Sequence, residues 1–97
     1  MIYNNVILEV KAEADIERVR SHLIELAKAS LTEAGCARFD VHHSEADPRL
    51  FFLIEEWESQ AALDQHRDEP AFAEVYLPQV VPLVKRMPHP SQRVWPA

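Results

Sequence analysis

The stretch Ile54-Glu-Glu-Trp-Glu-Ser-Gln-Ala-Ala-Leu-Asp-Gln-His66 joins the end of a predicted strand to the first turns of a predicted helix. Successive side chains of a strand point to opposite faces, so Glu55 shares a face with Leu53 and Trp57. A carboxylate there points in the same direction as its apolar neighbours. This placement indicates a pocket between the sheet and the layer of helices that covers it.

The helix after this strand is predicted over residues 60–67. Ser59 suits its N-cap, because a serine hydroxyl accepts a bond from a backbone N–H of the first turn. His66 follows Ala62 by four residues and Leu63 by three, so the three side chains share one face. The imidazole is therefore predicted to turn back toward the sheet, above the strand that carries the carboxylate.

Upstream, the alternation of β-branched and aliphatic residues predicts a first strand over residues 2–10. Asn4 and Asn5 are neighbours on it, so only one of them can face the helices, and the sequence leaves open which. Apolar positions at the 3.6-residue period then predict a helix over residues 15–34. Gly35, the only glycine, is expected to end this helix in the left-handed conformation.

Two further strands are predicted over residues 36–44 and 50–58. The Asp47-Pro48 step between them suits a turn, so the two strands should form an antiparallel hairpin. The second strand carries Phe52 and Ile54 on the face opposite to its core-facing residues. Both faces of this strand are therefore partly apolar.

Proline residues recur throughout the rest of the chain. Pro70 suits the first turn of another helix, which carries Phe72 and Tyr76 on one side. Pro78 and Pro82 are predicted to break or kink that helix, because each proline lacks an N–H and crowds the preceding turn. Only residues 91–95 are left for a short final strand.

The order strand, helix, strand, strand, helix, strand predicts an α+β fold, namely a ferredoxin-like antiparallel sheet with helices on one face. We expect one domain over residues 1–97. The other face of the sheet is left uncovered and apolar at Phe52 and Ile54, and a chain this short is marginal alone. Two chains that face each other through their sheets would bury that surface, so a homodimer is expected.

The composition of the chain limits the classes of partner that the protein can bind. A net charge of −6 and a pI near 5.3 argue against nucleic acid, because affinity for phosphates comes from lysine and arginine. No run approaches the roughly 20 apolar residues of a membrane span. The N-terminus lacks the features of a secretory signal and Cys36 is the only cysteine, so a cytoplasmic location fits best. A small-molecule substrate is the partner class that remains.

Metal and nucleotide cofactors are not expected from the sequence. His42 and His43 are adjacent on a strand and point to opposite faces, so they cannot bind one metal ion together. Cys36 has no evident partner base and is best explained as a small strand residue. A chain with one glycine has no glycine-rich phosphate loop, which argues against a nucleotide or flavin site.

The chain resembles the antibiotic biosynthesis monooxygenase family of dimeric α+β barrels. The resemblance covers nearly the whole sequence and is carried by Gly35–Val41, Phe51–Trp57, Ala62-Leu63 with His66, and Pro70–Phe72. These motifs are more specific to the fold than to one reaction. Related proteins include cofactor-free oxygenases of aromatic polyketides and quinols, haem-degrading enzymes, an isomerase of a phosphorylated dione, and members with no assigned reaction.

The predicted pocket suits cofactor-free oxygenation. Its expected members are catalytic Glu55, Trp57 and His66, with substrate bound by Asn4 or Asn5, Phe72 and Tyr76. A quinol that loses a proton reduces dioxygen directly, so the protein supplies a base, apolar walls and a donor for the oxyanion. His66 is the natural base, because imidazole titrates near neutral pH. Glu55 would either orient it or act as a base with a raised pKa.

The sequence therefore predicts a cofactor-independent monooxygenase of a small aromatic, quinol or polyketide-like substrate. A dione isomerase and a non-catalytic binding or accessory domain stay open as alternatives. Haem degradation fits less well, because the spacing of Trp57 and His66 is shared with relatives that do not use haem. A pocket-lining His66 is expected to have little packing to lose, whereas the plainer alternative makes it a core histidine.

Overall fold

A computed structural model describes all residues, Met1–Ala97. One antiparallel sheet has the order β2-β3-β1-β4 and consists of β1 (Ile2–Val10), β2 (Cys36–His43), β3 (Leu50–Trp57) and β4 (Val84–Ser91). The helices are α1 (Ile16–Ser30), α2 (Gln60–Asp68) and α3 (Ala71–Val80). Short 3₁₀ turns precede α1 (Glu13–Asp15) and follow α3 (Val81–Leu83). This architecture confirms the predicted ferredoxin-like α+β fold.

The core lies between the helices and the sheet. Alternate residues of β1 and β3 are buried, as the period of two requires for a sheet with one covered face. The apolar side of α1 packs onto them at the spacing of helical turns. The core side chains with almost no exposure include Val6, Leu8, Val10, Val19, Leu23, Phe51, Leu53 and Trp57.

The predicted hairpin is confirmed, with each strand one residue shorter than expected. β3 lies between β2 and β1, and its residue Glu55 pairs with Phe39 on one side and with Asn4 on the other. These three residues therefore stand in one row across the sheet. All three are buried, so the row lies on the face that the helices cover.

The end of α1 differs from the prediction. The helix stops at Ser30, four residues early, and a turn occupies residues 31–35. Gly35 does have the expected left-handed backbone, with φ of +85°, but its position is also set by packing. A Cβ atom on Gly35 would lie 2.5 Å from the Cβ of Ala62 on α2. Only glycine therefore allows this turn to approach α2 so closely.

Pro78 does not break the third helix, although the helix does end before Pro82. α3 is a π-helix of ten residues that continues through Pro78 to Val80. A π-helix bonds each residue to the fifth along the chain, and its wider turns relieve the crowding that a proline ring causes in an α-helix. The helical region ends with the 3₁₀ turn that contains Pro82.

The final strand is longer and earlier than expected. β4 spans Val84–Ser91, whereas the predicted strand at residues 91–95 is wrong apart from its first residue. Pro88 and Pro90 lie inside β4, opposite Val6 and Asn4 of β1. They are tolerated because β4 is an edge strand, where the nitrogen of a proline can face away from the sheet.

The outer face of the sheet carries no helix. Phe52 and Ile54 are half-buried there, and Ile7 stands between Phe52 and Met87 across the strands. These four side chains form an apolar strip, which we call the open-face strip. No helix in the chain is both long enough and apolar enough to span a membrane.

Replacement of Gly35 by alanine should destabilise the protein. The new methyl group would clash with Ala62 and strain the backbone, and overpacking of this kind costs about 1–3 kcal/mol. Urea unfolding measures the change. In Gly35→Ala/Ala62→Gly the clash is removed, so the two substitutions together should cost less than the sum of their separate costs. Strict additivity would contradict the close contact.

Candidate functional site

A cleft of about 260 Å³, partly open to solvent, lies between the sheet and the helices. Its walls combine aliphatic and aromatic side chains with a small number of polar groups, as is typical of small-molecule sites. The lining residues are Asn4, Leu26, Phe39, Leu53, Glu55, Leu63, His66, Arg67, Phe72, Tyr76 and Arg86. Glu55, His66, Phe72 and Tyr76 are all among the residues predicted for the site.

His66 lies at the inner wall of the cleft and is only 2% exposed. Three rings surround its imidazole, with centroids at 4.5 Å for Trp57, 5.1 Å for Phe72 and 5.9 Å for Phe39. Trp57 supports the imidazole from behind and does not line the cleft itself. The expectation that His66 has little packing to lose is therefore wrong, because the residue is both cleft-lining and tightly packed.

The two ring nitrogens of His66 have different surroundings. Nδ1 lies 2.6 Å from Oε1 of Glu33. No protein group bonds to Nε2, yet the protein has no buried side-chain nitrogen or oxygen without a partner. Nε2 therefore keeps some exposure, and His66 is one of the residues that line the cleft. Sequence reasoning missed Glu33, because it lies in the turn after α1, where no periodic pattern marks it.

Glu55 is the buried carboxyl of the site and is only 4% exposed. Its Oε1 accepts a 3.0 Å hydrogen bond from Nε1 of Trp57. Burial raises the pKa of the Glu55 carboxyl above its usual value, because the charged form loses its hydration. Groups that oppose part of this rise are Trp57, His66, Asn4 and Arg86. The raised pKa favours the neutral form of the Glu55 carboxyl, which is the form that can donate a proton.

The structure distinguishes the two asparagines of β1. Asn4 is buried on the helix-covered face, directly opposite Glu55, and lines the cleft. Asn5 lies on the outer face, where its Nδ2 donates to Oγ of Ser91 at 3.1 Å. Asn4 is therefore the asparagine at the site, and the inclusion of Asn5 among the site residues is corrected.

Tyr76 and Arg86 form a polar pair at the same cleft. Nε of Arg86 donates to the Tyr76 hydroxyl at 3.1 Å, and the tyrosine is buried. Burial raises the pKa of Tyr76, and the neighbouring guanidinium opposes this, so the hydroxyl keeps its proton. Arg86 is half-buried and lines the cleft, so its guanidinium brings a positive charge to the site. Sequence reasoning missed Arg86 because β4 was predicted elsewhere.

The remaining candidate groups lie outside the cleft. Burial, followed by the charges of Glu33 and Glu55, raises the pKa of the Cys36 thiol to about 11. His43 packs flat on Phe51, with ring centroids 4.3 Å apart. Nowhere in the chain do three or more histidine, cysteine, aspartate or glutamate side chains cluster as metal ligands would.

The sequence and this site together define the class of the protein. The chain matches the family model of the antibiotic biosynthesis monooxygenases over residues 1–76. It therefore belongs to the antibiotic biosynthesis monooxygenase family, as the resemblance implied. A search of curated proteins found no match.

Solved structures with the same fold come from several bacteria. PA3566 from Pseudomonas aeruginosa is 26% identical, with a TM-score of 0.85 over 96% of this chain and 94% of its own. A conserved protein from Bacteroides thetaiotaomicron is 27% identical, with a TM-score of 0.86 over 93% and 94%. A Nitrosomonas europaea protein proposed to be an antibiotic biosynthesis monooxygenase is 18% identical, with a TM-score of 0.85 over 98% and 92%.

The buried carboxyl should make stability depend on pH. The pKa of Glu55 is raised by folding, so the folded state binds more protons than the unfolded state above about pH 4.3. Stability from this group is therefore complete at low pH and is lost as the pH rises through the folded pKa. Glu55→Gln keeps the shape and the acceptor for Trp57 without the charge.

Relative to the wild type, Glu55→Gln should gain stability as the pH is raised from about 4 toward 8. Urea unfolding at intervals across that range gives the difference in the free energy of unfolding between the two proteins. The other titrating groups are the same in both proteins, so their contributions cancel in this difference. A difference that stays constant with pH would contradict the buried, proton-binding carboxyl.

Proposed function

We propose that this protein is a cofactor-independent monooxygenase that acts on a small phenol or quinol. The observation that carries the proposal is the partly exposed Nε2 atom of His66, a residue that lines a cleft whose walls are mostly apolar. Membership of the monooxygenase family supports it. Three further polar groups converge on the same space, namely the Asn4 amide, the Glu55 carboxyl and the Tyr76–Arg86 pair.

The lining of the cleft favours a flat, aromatic ligand. Leu26, Leu53 and Leu63 offer aliphatic contact, while Phe39 and Phe72 offer ring faces. Aromatic rings of a ligand and of the protein attract each other in stacked or edge-to-face arrangements. The composition of the walls therefore supports an aromatic substrate.

The proposed reaction begins with proton transfer. The lone pair on Nε2 of His66 takes the hydroxyl proton of the phenol, so an N–H bond forms as the O–H bond breaks. The guanidinium of Arg86 and the amide of Asn4 then stabilise the phenolate oxygen. This step raises the electron density of the ring, which makes the ring able to give an electron to dioxygen.

Oxygen transfer needs no external reductant in this scheme, because the substrate supplies all four electrons that dioxygen takes up. The ring anion and dioxygen combine through a new C–O bond to form a peroxide. The O–O bond and the C–H bond at the same ring carbon then break, which leaves one oxygen on the ring as a carbonyl. The other oxygen leaves as water with that proton and the proton first taken by His66. For phenol itself the balance is C₆H₆O + O₂ → C₆H₄O₂ + H₂O. The Glu55 carboxyl, whose pKa is raised by burial, lines the same cleft and is suited to pass a proton to the departing oxygen.

One observation favours a second candidate function, isomerisation of a small dione. The cleft holds two titratable groups of different character, an imidazole and a carboxyl whose pKa is raised by burial. Such a pair can remove a proton next to a carbonyl and return it at another carbon. His66 would act as the base and Glu55 as the acid. This reaction needs no dioxygen, which separates it experimentally from the first.

We also propose that two chains form the functional unit. The open-face strip of Ile7, Phe52, Ile54 and Met87 lies at the centre of a sheet face that no element of the chain covers. Association of two sheets through this strip would remove it from water. A dimer of this kind leaves the helix-covered cleft of each chain on the opposite side of its sheet.

Replacement of His66 by glutamine should abolish turnover. The measurement is dioxygen uptake with a panel of single-ring phenols and quinols, and loss of a general base lowers the rate by roughly 10²–10⁴-fold. His22→Gln is the matched control, because His22 lies on α1 outside the cleft. If the wild type consumes no dioxygen yet exchanges the α-hydrogens of a dione with deuterium, isomerisation replaces oxygenation as the function.

Sedimentation equilibrium should give twice the chain mass of 11.2 kDa at micromolar concentration. Phe52→Asp should shift the protein to a monomer, since a charge would enter the interface. Ile24→Asp is the control, because Ile24 is 42% exposed on α1 and lies away from the open-face strip. A wild-type protein that sediments as a monomer would defeat the dimer.

A further inference from the structure

The geometry points to Glu33 as a positioning residue that sets the tautomer of His66 and so aims a lone pair at the cleft. The inference rests on the proposed function, in which His66 is the base. Glu33 itself does not line the cleft, so it acts through the imidazole and not on the substrate.

The contact between the two side chains is short and shielded. Nδ1 of His66 lies 2.6 Å from Oε1 of Glu33, and the glutamate side chain is only 12% exposed. An ionised carboxylate can only accept hydrogen bonds, so Nδ1 must carry the proton in this pair. The neutral imidazole has a single N–H, which leaves Nε2 with an unshared pair.

The turn that carries Glu33 is itself fixed. The N–H of Glu33 donates to the Ser30 carbonyl at 3.0 Å, and its carbonyl accepts from the N–H of Cys36 at 3.3 Å. The carbonyl of Gly35 accepts from Glu58 at 2.8 Å, at the place where the turn meets α2. The carboxylate is therefore held in place by backbone bonds on both sides. A side chain held in this way can orient its partner.

No other acid is placed to do the same. Glu33 is the only carboxylate within 4 Å of the His66 ring nitrogens. Glu55 has no hydrogen bond to His66, and its Oε1 accepts instead from Nε1 of Trp57. Arg67, the cation next to His66 in the chain, lies 3.8 Å from Asp64. The tautomer of His66 is therefore set mainly by one residue.

Proton transfer in the proposed reaction depends on this arrangement. When Nε2 takes the substrate proton, the ring becomes positively charged and its Nδ1–H already points at the Glu33 carboxylate. The developing charge is thus met by an opposite charge in a site shielded from water. In the opposite tautomer Nε2 would carry the proton and could not accept another.

The test is the tautomer itself, read from the ¹⁵N chemical shifts of the His66 ring at a pH where the ring is neutral. The wild type should show the proton on Nδ1. Glu33→Leu removes the acceptor from Nδ1–H, and Glu33→Gln offers an amide N–H that can donate to Nδ1, so in these variants the proton should move wholly or partly to Nε2. Glu33→Asp keeps an acceptor-only group and should restore the wild-type tautomer. The signal is assigned by its loss in His66→Gln.

Kinetics and a matched control complete the design. Once a substrate is known, Glu33→Gln should lower kcat roughly 10²-fold or more, with a much smaller change in KM. Glu58→Gln removes an exposed acid near the same turn and should leave both spectrum and rate unchanged. If Glu33→Leu, which has no acceptor, keeps the proton on Nδ1, the inference is overturned. A changed tautomer in a protein that never turns over a phenol would uphold the positioning role and reject the oxygenation.

Discussion

The placement of a carboxyl group within the covered face of the sheet is the constraint on which the rest of the site depends. Glu55 cannot leave this face without moving Leu53 and Trp57 as well, because a one-residue slip exchanges the two faces of a strand. Its oxygen is bonded to the Trp57 indole, which in turn supports the imidazole of His66. Core packing and site geometry are therefore set by the same strand register.

A second constraint brings distant parts of the chain together. Gly35 and Ala62 touch where the turn after α1 meets α2, and no larger residue fits at the glycine. This contact places Glu33, two residues before the glycine, beside His66, one turn beyond the alanine. The bond between them spans 33 positions of sequence. A steric requirement in the backbone thus produces the polar contact of the site.

The parts of the site that sequence reasoning could predict are those that local periodicity controls. Glu55 follows from strand alternation and His66 from helical spacing. Glu33 and Arg86 could not be found in this way, because one lies in a non-repeating turn and the other in a strand interrupted by prolines. Prolines misled the fold prediction twice. Pro88 is tolerated at a sheet edge and Pro78 in a π-helix, and both contexts depend on tertiary structure.

The arrangement of polar groups across the cleft explains why a small domain accepts the cost of burying them. Glu55 stands at the centre of the sheet with Asn4 beside it, His66 is above it on α2, and Arg86 comes from the edge strand next to β1. An apolar residue in place of Glu55 would avoid the loss of hydration that raises its pKa. Packing alone therefore gives no reason for this carboxyl. The reaction we propose gives one, because His66 and Glu55 would then both take part in moving protons of the same substrate.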